Sequence, residues 1–330
     1  MTLALGLLSG GLDSTLAARV LLDQGIEVHA INFVSPFCTC TPKTMGCAAV
    51  EKAVSQLGNI PLKRVAMGDD YLLMVKSPKH GRGRGLNPCI DCRAMKIRIA
   101  AEYMREIGAS FLFTGEVLGQ RPMSQHRRAM AIIDKASGVG DLTLRPLSAT
   151  HFPPTFPELQ GLVDRSKLLG MEGRSRKPQM ALAKEKNIND YPCPAGGCLL
   201  TDERFAAKLA DYFAHTENPK TTEMPLLKIG RHFRNAAEKK IIVGRDEREG
   251  LAIERLAKPA MHLFYPVDFG GPHILAEEPW SEEIAGYFRK YSKVPADRES
   301  RVECVHEGIK TVCVIPNSKE PRPVGGALYY

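Results

Sequence analysis

The sequence contains no apolar run of about 18 residues, the length that a membrane-spanning helix requires. Its N-terminus has an apolar start but lacks the basic region and the cleavage site of a secretory leader. We therefore expect a cytoplasmic protein with no membrane partner. The chain also lacks internal repeats and low-complexity tracts, and its composition does not indicate disorder.

Length and charge narrow the class of protein further. With 330 residues, 44% of them hydrophobic, the chain can bury a substantial core, enough for two domains or three small ones. Its net charge of +8 fits an anionic partner. The basic residues form four local clusters, at residues 76–84, 126–128, 174–177 and 228–240. Together these clusters favour RNA or DNA as a partner.

The stretch SGGLDS at residues 9–14 follows an apolar run and precedes an amphipathic one, which predicts a strand, a tight turn and a helix. Paired glycines let successive backbone N–H groups point inward, and the helix N-terminus adds its positive end, so the turn can hold a polyphosphate. Asp13 would repel phosphate unless Mg²⁺ lay between them. Such turns occur in many α/β proteins, so two glycines alone do not decide the matter.

The whole hexapeptide resembles the SGGxDS signature of the PP-loop ATP pyrophosphatases at every fixed position. The resemblance implies a Rossmann-like α/β domain that cleaves ATP between its α and β phosphates and adenylates a substrate oxygen. It implies ATP contacts from Ser9, Gly10, Gly11, Asp13 and Ser14. The GKS/T of a Walker-type loop is absent, which argues against transfer of the γ-phosphate.

Strand and helix patterns alternate after this loop, which predicts a parallel sheet. The predicted strands lie at 26–34, 63–67 and 110–117, the helices at 48–57 and 94–107, and a mobile surface loop at 68–87. Because ligands of open α/β sheets gather at the carboxyl ends of strands, we expect Gly115, Glu116 and Gln120 to face the same cleft as residues 9–14.

Residues 114–125 (TGEVLGQRPMSQ) resemble the TGxxLGQ segment of 4-thiouridine synthetases, which has SQ a few residues later. Residues 145–147 resemble the RPL that follows in those proteins. The resemblance implies that Gly115 and Gln120 contact ATP. Arg121 and Arg145 are candidates for stabilising the charge that develops during adenylation.

Nine cysteines in a chain without an export signal argue against a disulfide framework and favour metal binding or sulfur chemistry. Cys89 and Cys92 form a C-x-x-C pair, and Cys193 and Cys198 a C-x₄-C pair. Such pairs bind structural zinc, act as a redox dithiol or hold an iron–sulfur cluster. The first pair lies at a predicted helix start, where the helix dipole lowers thiol pKa values.

The remaining cysteines carry weaker signals. Cys38, Cys40 and Cys47 lie in a loop rich in proline and threonine, and we interpret them as spectator or accessory thiols. Cys304 and Cys313 have apolar neighbours in the sequence, which indicates core positions.

The segment Asn-Pro-x-x-x-Cys that ends at Cys92 resembles tRNA 2-thiouridylases, whose catalytic cysteine occupies the last position. The surroundings of Cys198 resemble those of their second cysteine. PP-loop proteins that use a cluster carry a C-x-x-C and a third cysteine downstream, which matches Cys89, Cys92 and Cys198. The resemblance thus implies catalytic roles for Asp13, Cys92 and Cys198, and a [4Fe–4S] cluster, with zinc as the alternative. Cys193 is a fourth ligand or a spare thiol.

Prolines at 153–157 and a change of character near residue 223 indicate domain boundaries. We predict a PP-loop ATP-binding domain at 1–150, a helical connecting region at 151–220 that carries the second cysteine pair, and a smaller α+β domain at 221–330. Helices are predicted at 178–186 and at 201–215, the latter with Thr201 as its N-cap.

The C-terminal part contains IIVGRD at residues 241–246 and GGPH at 270–273, which resemble the RNA-binding module of the NFACT group of ribosome-quality-control proteins. The resemblance implies an RNA-contacting domain. The predicted RNA contacts are Arg121, Arg127, Arg128, Lys239 and Lys240.

These resemblances imply an ATP-dependent tRNA sulfurtransferase that replaces a uridine base oxygen with sulfur and forms AMP and pyrophosphate. Its cofactors would be ATP and Mg²⁺, and its partners tRNA and a sulfur donor protein or sulfide. One alternative is a PP-loop ligase or sulfur transferase that acts on a small molecule and holds structural zinc. Another is a non-catalytic RNA-binding factor. The modified base and the sulfur donor stay open.

Overall fold

The computed structural model describes residues 2–38, 48–191 and 197–317, together with the backbone of 327–329. The chain divides into two compact units, Met1–Thr201 and Asp202–Tyr330. The finer division into three functional parts stays a prediction. Within the described ranges, no helix is both long and apolar enough to cross a membrane.

The first unit is a five-stranded sheet with helices on both faces. Its strands are β1 (Leu3–Leu7), β2 (Glu27–Val34), β3 (Leu62–Ala66), β4 (Phe111–Thr114) and β5 (Thr143–Leu144). All its neighbouring strands pair in parallel, in the order β3-β2-β1-β4-β5. The Rossmann-like parallel sheet predicted from the sequence is therefore confirmed. The strand order reverses beside β1, which places a topological switch point between β1 and β4.

The helices of this unit complete two hydrophobic layers. They are α1 (Leu12–Leu22), α2 (Ala48–Gln56), α3 (Asp69–Lys76), α4 (Cys89–Glu106), α5 (Arg127–Ser137), α6 (Phe156–Leu159) and α7 (Lys177–Glu185). Successive strand residues point to opposite faces of the sheet. In β4, Phe111 and Phe113 therefore pack with α1, α2 and α7 on one face, and Leu112 packs with α4 and α5 on the other.

Two local predictions are wrong. The surface loop predicted at 68–87 begins with α3, whose Tyr71, Leu72 and Val75 are buried on one helical face. The helical spacing of these apolar residues is short and is flanked by polar and glycine-rich segments, so the sequence did not predict the helix. The helix predicted from 201 begins instead at Glu203, because Asp202 accepts a hydrogen bond from the Phe205 N–H and caps the helix.

The second unit is built around a seven-stranded sheet, in which every described pairing is antiparallel. The strands are β6 (Arg231–Arg234), β7 (Lys240–Val243), β8 (His262–Pro266), β9 (Ile274–Ala276), β10 (Ser300–His306), β11 (Ile309–Ile315) and β12 (Ala327–Tyr329). They follow the order β11-β10-β8-β9-β7-β6-β12. The predicted α+β character of this part is confirmed.

The described part of this unit contains the helices α8 (Glu203–Ala214), α9 (Met224–Leu227), α10 (Glu247–Leu256) and α11 (Glu282–Tyr291). Strand alternation again assigns the two faces of the sheet. Ile241 and Val243 pack with Ile284 and Phe288 of α11, whereas Ile242 packs with Ile253 of α10. The sheet is thus covered on both faces.

A buried ion cluster stabilises the second unit. Asp211 of α8 accepts hydrogen bonds from Arg234 Nε at 2.6 Å and from the Lys240 ammonium. Burial would raise the pKa of Asp211, but the hydrogen bonds and charges of Arg234 and Lys240 outweigh it and lower that pKa. The carboxylate therefore compensates two buried cations at once.

We predict that Asp211→Asn lowers the free energy of unfolding by about 3–5 kcal/mol, because it removes the carboxylate that two buried cations contact. The measurement is urea denaturation at pH 7. The lowered pKa means that the contribution of Asp211 is present at neutral pH and is lost as the pH falls through its folded-state pKa. Asp297→Asn, at an exposed position of the same unit, is the control. Equal stability of the two variants would contradict the prediction.

Candidate active site

The loop at residues 9–14 connects the end of β1 to α1 and is stabilised by hydrogen bonds of its own serines. Ser14 Oγ donates to the Gly11 carbonyl at 2.9 Å and lies 3.1 Å from Ser9 Oγ. Gly10 has φ +77°, and a Cβ there would lie 2.5 Å from the Val50 backbone nitrogen. A side chain at residue 10 would therefore be strained and would collide with α2.

Gly115, directly after β4, packs against the same loop. A Cβ on Gly115 would lie 2.4 Å from the Ser14 nitrogen and 2.5 Å from the Asp13 carbonyl carbon. The two strand ends at the switch point thus bring residues 13, 14 and 115 into contact. Gly115 thus lies against the loop, and its predicted contact with ATP stays a prediction.

Asp13 is held by residues from two other segments. Gln120 Nε2 donates to Asp13 Oδ2 at 2.8 Å, and an Arg176 guanidinium nitrogen lies 3.6 Å from the same oxygen. Asp13 Oδ1 is buried and has no hydrogen-bond partner within the described part of the chain. A carboxylate oxygen left free beside a phosphate-binding loop fits a divalent cation such as Mg²⁺.

Arg176 and Gln179 are contributors that the sequence did not single out. Gln179 is 1% exposed, and its Nε2 donates to Gln120 Oε1 at 3.4 Å, which extends the chain of contacts to Asp13. Both residues lie at the start of α7, which packs on α1. The only signals in the sequence were the basic cluster at 174–177 and the predicted helix that follows it.

Glu116 is fully buried between two arginines. Its Oε1 lies 2.9 Å from Arg93 Nε, and its Oε2 accepts from Arg145 Nε at 3.2 Å. Burial would raise the pKa of Glu116, but the charges of Arg93 and Arg145 lower it. Arg145 also forms a two-pronged contact with Asp134, at 2.6 and 3.1 Å. The charge of Arg145 is therefore compensated by carboxylates inside the domain. This favours a structural role for Arg145 over the predicted stabilisation of adenylation.

Cys89 and Cys92 lie in the first turn of α4. Cys89 Sγ donates to Asn87 Oδ1 at 3.0 Å, and Cys92 Sγ lies 3.4 Å from Tyr71 Oη. The expected lowering of the Cys89 pKa by the helix dipole is wrong: burial raises that pKa, although the charges of Arg121 and Arg93 oppose the shift. Burial is the largest contribution to this shift.

Cys198 belongs to the same group of thiols. Burial raises the pKa of Cys198 to about 11, with smaller contributions from Cys92 and Cys89 and opposition from Lys96. The three thiols thus interact electrostatically despite their separation in the sequence. Neutral thiols in such a setting become good ligands when a cation compensates the thiolate charge.

No three His, Cys, Asp or Glu side chains converge on a single metal ion in the ranges that the structure describes. Cys40, Cys47 and Cys193 lie outside those ranges, so the predicted fourth ligand is not placed. An iron–sulfur cluster is larger than one ion and holds its cysteines further apart. The donor set of Cys89, Cys92 and Cys198 therefore fits a cluster in its chemistry.

Residues 120 and 121 connect the loop to the cysteines. Gln120 donates to Asp13, while the charge of the next residue, Arg121, acts on the Cys89 thiol. A second connection runs through the ion pair of Glu116, which follows Gly115, with Arg93, which follows Cys92. The segment 115–121 therefore contacts the loop through Gln120 and the start of α4, which carries Cys89 and Cys92, through Glu116.

The predicted RNA contacts differ in their exposure. Arg121, Arg127 and Arg128 are exposed in the first unit, and Lys239 is exposed in the second. Lys240 is 7% exposed, and its ammonium is paired with Asp211. Burial lowers the pKa of Lys240, although Asp211 opposes this shift. The charge of Lys240 is thus used inside its own domain and is not presented to solvent.

The loop, the parallel sheet and the cleft at its switch point together define a PP-loop nucleotide-binding domain. Residues 2–151 match the family described as thiamine biosynthesis protein (ThiI), and residues 230–320 match the NFACT protein RNA binding domain. The chain thus carries a ThiI-type PP-loop domain and an NFACT-type RNA-binding domain. The resemblances of the sequence to PP-loop proteins and to the NFACT RNA-binding module are confirmed.

Curated relatives include the tRNA-specific 2-thiouridylase MnmA of Dichelobacter nodosus, 26% identical over 229 residues, which cover 64% of this chain and 55% of the relative. A probable tRNA sulfurtransferase of Thermococcus kodakarensis is 29% identical over 183 residues, or 52% of this chain and 42% of the relative. The chain thus spans about half of the length of these relatives.

Solved structures that this chain matches include a 4-thiouridine synthetase in complex with RNA and ATP. It is 23% identical, with a TM-score of 0.37, over 69% of this chain and 52% of that chain. The U34-tRNA thiolase NcsA of Methanococcus maripaludis, with its [4Fe-4S] cluster, is 20% identical, with a TM-score of 0.31, over 69% and 72%.

We predict that Gly115→Ala displaces residues 13 and 14 and weakens ATP binding about tenfold or more, because the added methyl overlaps the loop backbone. The measurement is isothermal titration with ATP and Mg²⁺. Gly270→Ala is the matched control, since a Cβ at Gly270 meets open space. Unchanged ATP affinity in Gly115→Ala would contradict the proposed contact between Gly115 and the loop.

Proposed function

We propose that this protein is an ATP-dependent tRNA sulfurtransferase that exchanges a uridine carbonyl oxygen for sulfur. The observation that carries the proposal is the connection through residues 115–121 between the phosphate-binding loop and the start of α4, whose Cys89 and Cys92 act electrostatically on Cys198. A nucleotide site alone would fit many reactions. A nucleotide site that is connected to thiols through one segment suits a reaction that activates an oxygen and then replaces it with sulfur.

The first step is adenylation. The backbone of residues 9–14 binds the pyrophosphate part of ATP, where the N–H groups and the α1 N-terminus favour negative charge. Asp13 Oδ1 would hold Mg²⁺, which neutralises phosphate charge when it is bound. The base oxygen attacks the α-phosphorus, pyrophosphate leaves, and the adenylate makes the oxygen a good leaving group in AMP.

Gln120 and Arg176 keep Asp13 in position for this step. The Gln120 hydrogen bond occupies Oδ2 and leaves Oδ1 free. Arg176 lies on the same side of the carboxylate and adds a positive charge next to the phosphate loop. These contacts pre-organise the loop, so that little rearrangement is required when nucleotide binds.

The second step is sulfur delivery, for which we propose Cys89, Cys92 and Cys198. These cysteines would hold a [4Fe–4S] cluster, which supplies an iron position that accepts hydrosulfide when the cluster is bound. Arg93, Lys96 and Arg121 place positive charge near the thiols, as their effects on the cysteine pKa values indicate. Such charge favours an anionic sulfur species over water.

RNA recruitment is the third part of the proposal. The NFACT-type domain at 230–320 and the exposed basic residues Arg121, Arg127, Arg128 and Lys239 would bind the tRNA backbone. Names of relatives that act on tRNA support tRNA as the substrate class. We propose that the protein acts in the cytoplasm and receives sulfur from a donor protein or from sulfide.

The proposal predicts pyrophosphate release that requires tRNA and depends on Asp13. Asp13→Asn keeps the shape of the side chain but removes the anionic oxygen, and we expect the rate to fall at least about a hundredfold, since metal contacts to phosphate are worth several kcal/mol. The measurement is a coupled pyrophosphate assay with bulk tRNA, with Asp141→Asn, at an exposed position, as the control.

Two outcomes of this assay would contradict the proposal. Pyrophosphate release that is equally fast without RNA would favour a small-molecule acceptor. The second outcome is that the wild type releases no pyrophosphate while both the wild type and Asp13→Asn bind tRNA normally. That outcome would favour a non-catalytic RNA-binding factor.

A further inference from the structure

Cys38 and Cys198 lie opposite each other in an isolated antiparallel β-bridge of the first unit. The Leu199 N–H donates to the Phe37 carbonyl at 2.9 Å. This hydrogen bond joins the residue after Cys198 to the residue before Cys38. Hydrogen bonds between such flanking residues are typical of a non-hydrogen-bonded antiparallel pair, so Cys38 and Cys198 form a pair of that type.

The backbone groups of the two cysteines agree with this pairing. The Cys38 N–H donates to the Ser35 carbonyl at 3.1 Å, and the Cys198 carbonyl accepts from the Thr201 N–H at 2.9 Å. Neither group is therefore used to bond to the opposite cysteine. The two residues face each other through their side chains.

This arrangement satisfies the requirements of a disulfide. Opposite residues in a non-hydrogen-bonded pair have Cα atoms about 4.5 Å apart and side chains on the same face. Disulfides span Cα separations of about 4.4–6.8 Å. A bond between Cys38 and Cys198 can therefore form with little movement of the backbone.

Both segments are anchored beside the pair. The Phe37 ring is fully buried and lies 6.0 Å from the Tyr71 ring. On the other segment, the Leu200 carbonyl accepts from the Leu86 N–H at 2.9 Å. Cys38 is exposed, so a reagent in solution reaches it directly, whereas Cys198 is only partly exposed. These properties assign Cys38 the role of entry point and Cys198 that of the protected partner.

We propose that Cys38 and Cys198 form a reversible disulfide through exchange with a low-molecular-weight disulfide such as oxidised glutathione. The Cys38 thiolate attacks one glutathione sulfur, breaks its S–S bond and releases one glutathione thiolate. The Cys198 thiolate then attacks Cys38 Sγ, forms the new S–S bond and expels the second glutathione thiolate. The two protein thiols lose two electrons, which oxidised glutathione gains, and solvent takes up the protons.

The consequence for catalysis rests on the proposed function. The disulfide removes Cys198 from the three cysteines assigned to sulfur delivery, while residues 9–14 and their contacts with Gly115 and Gln120 are unaffected. Oxidation would thus stop sulfur transfer without abolishing ATP binding, and reduction would restore it. The pair gives Cys38 a function that its sequence context did not indicate.

The test uses the full-length chain and needs neither ATP nor tRNA, so its outcome is independent of the thiolation assay. Protein purified under anaerobic conditions is incubated in glutathione buffers from fully reduced to fully oxidised, with and without a chelator. Unreacted thiols are blocked by alkylation, and peptides are analysed by non-reducing mass spectrometry. Cys38→Ser is the test variant and Cys313→Ser the matched control, and circular dichroism checks that both fold.

We expect a Cys38–Cys198 cross-linked peptide that becomes the main form in oxidised buffer and disappears in reduced buffer. The cross-link should persist in Cys313→Ser and be lost in Cys38→Ser, where Cys198 stays reduced or carries glutathione. The proposal is overturned if Cys198 in the wild type joins mainly to Cys89, Cys92 or another cysteine, or if it stays reduced or singly glutathionylated in oxidised buffer.

Discussion

The hydrogen bond from Gln120 Nε2 to Asp13 Oδ2 fixes the geometry on which the rest of the site depends. It spans the switch point of the parallel sheet, where the ends of β1 and β4 meet and Gly115 packs directly on the loop backbone. Because one carboxylate oxygen is occupied, the other is left for a cation. The loop is thus shaped for polyphosphate by contacts within the protein.

The same strand end sets the position of the thiols. Glu116 is buried between Arg93 of α4 and Arg145, and Arg145 is anchored in turn by Asp134. Removing an ion from water is costly, so such a cluster persists only where every charge is compensated. Here the compensation ties the start of α4, and with it Cys92, to the residue that follows Gly115. The proposed nucleotide and sulfur sites would therefore share a rigid frame.

Local signals in the sequence were sufficient to predict the loop, the parallel sheet and the position of Gln120 near the loop. They were not sufficient where the outcome depends on tertiary contacts. Arg176 reaches Asp13 and Gln179 reaches Gln120 because α7 packs on α1, and no periodicity encodes those contacts. The sequence predicted an exposed Lys240, but its ammonium is buried and paired with Asp211. It also predicted a lowered pKa for the Cys89 thiol, but burial raises that pKa. The pairing of Cys38 with Cys198 joins segments far apart in the sequence.

The most direct test of the central claim is mass spectrometry of nucleosides from bulk tRNA of a strain that lacks this protein. The strain is complemented with the wild type or with Cys92→Ala. We expect the loss of a single thionucleoside that only the wild type restores, which would identify the product and place Cys92 in the chemistry. An unchanged thionucleoside profile in the deletion strain would contradict the assignment of tRNA as the acceptor of sulfur.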